Sequence, residues 1–403
     1  MSAAHSEPTG HPTPGSRVVR AVLLLCWRDT GHPQGGGSET YLQRIGAQLA
    51  ASGLTVTLRT ARYPGAPRRE VVDGVQIRRA GGRYSVYPWA LAAMALHELG
   101  ARLGLRRLRR LRPDVVVDTQ NGLPFLARVV YGRRVVVLVH HCHREQWPVA
   151  GPALGRLGWF VESVLSPRVH RHNQYVTVSL PSARDLVDLG VDMKRIAVVR
   201  NGLDEAPAQS LEGSAASAAR VVVLSRLVPH KQIEDALEAV AALRARIPDV
   251  HLDIIGDGWW RRRLVDHAAR LGMSDAVTFH GHVDHVLKHF LLQRCWVQVL
   301  PSRKEGWGLA VVEAAQHQVP TIGYRCSGGL SDSIVDGVTG ILVDDRAQLV
   351  DRLEELLSDP VLRDQLGGKA QIRSGEFSWR QSADAMCSVL DAVHAGYRVS
   401  GVI

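Results

Sequence analysis

Three glycine-bearing loops and a few charged residues carry the chemistry this sequence can do. The first is Gly35-Gly36-Gly37-Ser38-Glu39, between an apolar run and a helical pattern. Glycines there let a ligand approach the backbone, and a helix N-terminus favours anions. The pattern is not GxGxxG, and no acidic residue ends the next strand to hold a ribose, which argues against NAD. A tight turn that only packs the helix is the competing reading. The second loop is Ser225-Arg226-Leu227-Val228-Pro229-His230-Lys231. Arg226 and Lys231 flank it and suit a diphosphate, Arg as a fork and Lys as a point charge. Two solvated surface cations are the alternative.

The third and strongest signal runs from Leu300-Pro301 through Glu305-Gly306-Trp307-Gly308-Leu309 to Glu313. It reads as a strand end, a glycine loop and a helix starting near Gly308, whose free amides point where a phosphate can sit. Glu305 stands before that helix and Glu313 about a turn and a half inside. Five helical steps alone span ~7.5 Å, so the carboxylates lie at different depths. That suits two sugar rings, a hexose for Glu305 and a ribose for Glu313, better than the ~5 Å pair of a retaining glycosidase. A solvent-facing Glu313 is the alternative, opposed by its neighbours Val311, Val312, Ala314 and Ala315.

These loops must be held by alternating strands and helices. Strands are expected at Val18–Cys26, Thr55–Thr60, Val115–Asp118, Val135–Val139, Tyr175–Ser179 and Ile196–Arg200. A second set falls at Val221–Ser225, His251–Ile255, Val277–His280, Trp296–Leu300, Thr321–Tyr324 and Ile341–Val343. Helical patterns include Glu39–Ala51, Trp89–Leu111, Ile233–Ile247, Trp260–Leu271 and Leu309–His317. This alternation predicts an α/β protein with two Rossmann-like, doubly wound parallel-sheet lobes facing a central cleft. The expected boundaries are a tail to residue 16, a first lobe over 17–205, a linker over 206–219 and a second lobe over 220–379. At 403 residues the chain has room for two cores.

The ordered set of motifs resembles the GT4 family of retaining, GT-B-fold glycosyltransferases. It comprises Gly36-Gly37-Ser38-Glu39, Asn201-Gly202-Leu203-Asp204, the Ser225–Lys231 loop, Gly256-Asp257-Gly258 and the E-x7-E pair Glu305 and Glu313. The likeness covers nearly the whole chain from about residue 17. It implies a first lobe that binds the acceptor and is completed by a returning C-terminal helix, about 380–403. It implies a second lobe that binds a nucleotide-sugar donor, UDP-, GDP- or ADP-linked. Gly36 and Gly37 would approach the donor phosphates, and Arg226 and Lys231 would hold them. Glu305 would contact the donor sugar with backbone amides around Gly306, Trp307, Gly308 and Leu309, and Glu313 the ribose. His140, after Val135–Val139, would lie near the donor sugar. Gln318 departs from the family's usual glycine before Val319-Pro320.

The resemblance implies front-face transfer with retention to a hydroxyl of a glycan, lipid or small-molecule acceptor. Cations and helix amides would stabilise the leaving diphosphate, so no essential metal and no other cofactor are expected. No DxD-type pair stands at a strand end of the donor lobe other than Asp344-Asp345, far along the sheet. The clusters His140, His141, His143 and His280, His282, His285, His289 lack CxxC-type company, which leaves metal binding a minor reading. The region from His141 to Asn173, with Trp147 and Trp159, is expected to shape the acceptor pocket.

Net charge is +10, which favours an anionic partner. Arg102, Arg106, Arg107, Arg109, Arg110 and Arg112 lie on one helical pattern, with Leu99, Leu103, Leu108 and Leu111 as its expected buried stripe. That helix suits either an anionic membrane surface or plain solvent. Nucleic acid fits less well, for want of an aromatic platform. Scattered cysteines, no basic leader and no long apolar run suggest a cytoplasmic protein, peripheral on the membrane at most. Two rival readings are a GT-B nucleotide-sugar epimerase and a non-catalytic membrane-associated scaffold.

Overall fold

The computed structural model describes residues 19–109, 112–207 and 218–403. The first sheet contains β1 (Ala21–Leu25), β2 (Thr55–Thr60), β3 (Arg69–Val72), β4 (Val75–Arg79), β5 (Val115–Thr119), β6 (Val135–Val139), β7 (Gln174–Thr177) and β8 (Ile196–Val198). The second contains β9 (Arg220–Leu224), β10 (His251–Ile255), β11 (Val277–Gly281), β12 (Val297–Leu300), β13 (Thr321–Tyr324) and β14 (Gly340–Val343). A last strand, β15 (Gly401–Val402), returns to the first sheet beside β8. The orders are β15-β8-β7-β6-β5-β1-β2-β4-β3 and β11-β10-β9-β12-β13-β14. All pairings are parallel except the β3–β4 hairpin. β5 and β6 are buried at every position and apolar at all but Asp118 and Thr119, as strands covered on both faces must be.

Both sheets reverse direction once, between β1 and β5 and between β9 and β12. Ligands collect at such switch points, beyond the strands' carboxyl ends. In the second sheet the loops leaving the two switch strands are the ones carrying Arg226–Lys231 and Glu305–Gly308. In the first they carry the glycine loop and Asn121. Topology alone therefore brings the four chemically loaded loops to the cleft.

The helix Trp379–His394 packs on the helix Gly37–Ala51, burying Met386, Val389 and Leu390 in the first lobe's core with Tyr41 and Ile45. Gly202 makes that crossover possible, because a Cβ there would lie 2.2 Å from the Trp379 amide nitrogen. The lobes also touch through ion pairs Arg200–Asp332 and Lys304–Asp185.

Three expectations need correction. The pattern Trp89–Leu111 is not one helix: Val86–Arg102 ends at Leu103 and Gly104, and Arg106–Arg109 follows as a separate turn. Its buried face is Val86, Ala90, Met94, His97 and Gly100, while Leu99 and Leu103 are 54% and 66% exposed. The break folds Leu108 back so tightly on Gly100 that a Cβ there would meet it at 2.3 Å. Leu111 and Arg110 lie outside the described residues, as does most of the linker. The strand expected at Val18–Cys26 is shorter, Ala21–Leu25.

Candidate active site

Gly36 caps the helix Gly37–Ala51. Its amide donates to Glu39 Oε2 at 2.7 Å, and the Glu39 carboxylate is held further by Arg28 (3.0 Å) and Asn121 Nδ2 (2.8 Å). Glu39 is therefore a fully buried anchor of the loop rather than a group free to meet a ligand. A Cβ on Gly36 would lie 3.3 Å from Arg226 Nε, whereas one on Gly37 would meet nothing within 4 Å. The glycine loop thus lies directly against the Arg226 guanidinium and leaves open space at Gly37.

Arg226 is half-buried and, among the described residues, its guanidinium has no hydrogen-bond or ion-pair partner. Burial and the nearby Arg28 pull its pKa below the ordinary arginine value, with Glu39 and Glu305 opposing. A cation so placed favours any anion that enters. Lys231, by contrast, is paired: Nζ lies 2.5 Å from Glu305 Oε1, which also accepts from Ser302 Oγ at 2.8 Å. Glu313 is not solvent-facing. It accepts from Lys288 Nζ at 2.6 Å and is 17% exposed.

Gly306, Gly308 and Trp307 each have a structural reason for their identity. A Cβ on Gly306 would lie 2.7 Å from the His140 carbonyl oxygen, so the second lobe reaches the first at this point. Ser179 Oγ donates to the Gly306 carbonyl at 2.6 Å, and Ser182 Oγ to the His140 carbonyl at 2.9 Å. Gly308 adopts φ +97°, and its Cβ would strike Leu330. Trp307 is 1% exposed, packs edge-on against Phe377 and donates its Nε1–H to Asp332 at 3.1 Å. Its side chain therefore belongs to the inter-lobe core and only its backbone faces the loop. Leu309 packs against the first lobe's core. The amides from Trp307 to Ala310 have no hydrogen-bond partner among the described residues.

His140 is buried edge-on against Tyr41, with ring centroids 5.1 Å apart, and its Nε2 has no partner among the described residues. Burial, aided by His143, lowers its pKa to about 3, so the ring is neutral at pH 7. His141 and His230 are depressed for the same reason, His230 to about 3.

Sequence reasoning missed a polar chain through the first lobe. His143 lies between Glu162 (Nδ1 to Oε1, 3.0 Å) and Asn121 (Nε2 to Oδ1, 3.2 Å). Asn121 continues to Glu39, and Glu162 also accepts from Trp147 Nε1. Glu162 sits fully buried in a π-helical turn, Val161–Leu165, a distortion common at functional sites. A lone Glu in a mostly apolar stretch, Phe160-Val161-Glu162-Ser163-Val164-Leu165, was its only sequence signal. Trp147, expected to line the acceptor pocket, is seated on Gly155 and Gly158. A cavity of about 450 Å³ spans the lobes beside Lys231, lined by Glu145 and Val149 on one side and His230, Gln232 and Arg303 on the other.

Among the described residues no three His, Cys, Asp or Glu side chains are grouped to hold a metal ion. None of the helices there is long and apolar enough to cross a membrane. Of the arginine series, Arg102 and Arg106 are exposed, while Arg112 pairs with Glu98 at 2.7 Å.

Two parallel-sheet lobes joined by a returning C-terminal helix, with cations and glutamates at both switch points, define a GT-B-type transferase. The comparisons agree. The family models described as "Glycosyltransferase Family 4" and "Glycosyl transferases group 1" match residues 35–207 and 212–373. A D-inositol 3-phosphate glycosyltransferase of Streptomyces bingchenggensis is 31% identical, covering 95% of this chain and 91% of its own. A glycogen synthase of Mycobacterium tuberculosis is 28% identical over 94% of this chain and 96% of its own. The solved sucrose-phosphate synthase of Thermosynechococcus elongatus shares the fold, with a TM-score of 0.77 at 21% identity over 94% of this chain and all of its own. The chain belongs to the GT4-type glycosyltransferases of GT-B fold.

Proposed function

We propose that this glycosyltransferase moves a sugar from a nucleotide-diphosphate donor on the second lobe to a hydroxyl of an acceptor on the first, with retention of anomeric configuration. One observation carries the donor assignment. Arg226 is a half-buried cation whose guanidinium has no partner among the described residues, set against a glycine loop and beside the glutamate loop. Pyrophosphate oxygens entering there would gain Arg226, the amides of Trp307 to Ala310, and Lys231 once it leaves Glu305. Glu305, released in the same exchange, would accept hydrogen bonds from the donor sugar's hydroxyls.

In the reaction the anomeric C–O bond to the diphosphate breaks while the acceptor oxygen bonds the same face. The acceptor proton leaves with the diphosphate oxygen. Arg226 and Lys231 would balance the leaving charge, so the reading includes no essential metal. Neutral His140 would accept a hydrogen bond near the sugar through its unpartnered Nε2. The relatives' names mention glycogen and D-inositol 3-phosphate, so the acceptor is left as a glycan, lipid-linked or small-molecule hydroxyl compound.

The test is calorimetric titration with UDP, GDP and ADP, followed by transfer assays with the matching sugars and NMR of the product anomer. Acceptor-dependent nucleotide release with a retained anomer is expected. Epimerised donor without acceptor would favour the epimerase reading, and failure to bind any nucleoside diphosphate at millimolar levels would defeat both.

A further inference from the structure

At the free edge of the first sheet, β2, β4 and β3 run side by side. Their register sets Arg59 opposite Arg78, and Arg78 opposite Arg69. Directly paired residues share a sheet face, so three arginines stand in one row. Arg79, the next residue, points to the other face, where Asp29 and Glu70 neutralise it. No carboxylate does this for the row. Among the described residues none of the three makes an ion pair, and Arg78 donates only to Gln76 Oε1 at 3.2 Å. Like charges set directly opposite one another destabilise a sheet.

The helix Val86–Arg102 lies beside this row. Its His97 is 8% exposed and its ring makes no hydrogen bond among the described residues, while the hydroxyl of Tyr131, 7% exposed, is buried there without a partner. Arg59 Nε is likewise buried and unsatisfied. Burial, then Arg59 and Arg78, lower the His97 pKa to about 4, which places the imidazole beside the guanidinium row and keeps it neutral. Tyr131 lies within electrostatic reach of Glu98, which Arg112 neutralises at 2.7 Å, and of Arg59. Buried polar atoms are rarely left without partners, and planar guanidinium forks match tetrahedral oxyanions.

We propose that Arg59, Arg78 and Arg69, with Tyr131 and His97, bind a phosphate group, carried by a soluble phosphorylated molecule or by a lipid headgroup. This site is separate from the donor cleft, whose cations are Arg226 and Lys231. The exposed Leu96, Leu99 and Leu103 on the same helix make a lipid source worth testing.

The experiment compares melting of the full chain in inorganic phosphate and in chloride at equal ionic strength. Wild type should melt about 2 °C or more higher in phosphate. Arg78→Met should lose that response, yet melt at or above wild type in chloride, because the middle like charge is gone. Its transferase activity should be unchanged. Arg69→Met, at an exposed position, provides a second variant should Arg78→Met fold poorly. Co-sedimentation with phosphatidylcholine vesicles, with and without phosphatidic acid, separates the sources. Arg78-dependent capture by phosphatidic acid points to a lipid; a response to free phosphate alone points to a soluble ligand. No phosphate shift in wild type together with vesicle capture indifferent to Arg78, or a phosphate shift undiminished in both variants, overturns the proposal.

Discussion

Lys231 and Glu305 form an ion pair with 2.5 Å between Nζ and Oε1, each 13% exposed. Two groups read from sequence as serving different parts of one donor thus hold each other. A donor must open this pair, so the cost of separating them offsets part of the gain from binding. Glu305→Gln should therefore abolish turnover while nucleoside diphosphate affinity stays level or rises several-fold, because Lys231 is released. Titration calorimetry checks this, and simultaneous loss of binding would contradict the sugar contact.

Lys231→Ala should weaken nucleoside diphosphates far more than nucleosides. A charge-assisted contact worth ~1.5–3 kcal/mol corresponds to roughly ten- to hundred-fold. Equal weakening of both ligand classes removes Lys231 from the phosphate site.

Gly36→Ala tests the contact between the glycine loop and Arg226. Its backbone φ of −160° is extended and tolerates alanine, so the melting point should hold. The new methyl would press on Arg226 at 3.3 Å, displacing a guanidinium that nothing else fixes. Donor KM should rise while stability is unaffected; an unchanged KM would show that the contact does not position Arg226.

The loops that meet at the cleft were legible because they follow apolar strands with glycines at fixed places. Thr55–Thr60, Val135–Val139, His251–Ile255 and Thr321–Tyr324 match their expected bounds, since β-branched runs between turn residues admit little else. The β3–β4 hairpin was missed because Arg69, Glu70, Arg78 and Arg79 dilute its apolar alternation. The stripe on Val86–Arg102 was misread because leucine outranks alanine and glycine in a hydrophobicity count, yet Ala90 and Gly100 are what close packing admits. Pairings between distant residues, such as Glu162 with His143, leave no periodic trace at all.

Glu162 gives a prediction of its own. Glu162→Ala strips the acceptor from Trp147 Nε1 and His143 Nδ1 in a fully buried place, and should cost about 1–3 kcal/mol for each orphaned donor. Glu162→Gln keeps an oxygen for one of them and should cost less. Urea unfolding measures both, and near-equal stability of Glu162→Ala and wild type would show the chain is not a structural tie.

Acid should destabilise the protein well before its carboxylates titrate. The pKa of His140 is about 3 when folded, against an ordinary 6.5. Between these values the unfolded chain binds a proton that the folded chain refuses. This contribution to stability is therefore complete above pH 6.5 and falls by about 1.4 kcal/mol per pH unit below it. His230 and His289, also near 3, act in the same direction. Asp118, raised by burial to about 6, opposes them between its ordinary 3.8 and 6, because there the folded chain binds the extra proton. With these histidines, and His97 and His170 lowered by burial to about 4, against one aspartate, unfolding free energy should drop on going from pH 7 to pH 5. His140→Gln should flatten the slope by close to one proton, since glutamine does not titrate. A variant slope equal to wild type would mean that His140 is already protonated in the folded state, and would remove it as a neutral hydrogen-bond acceptor beside the sugar.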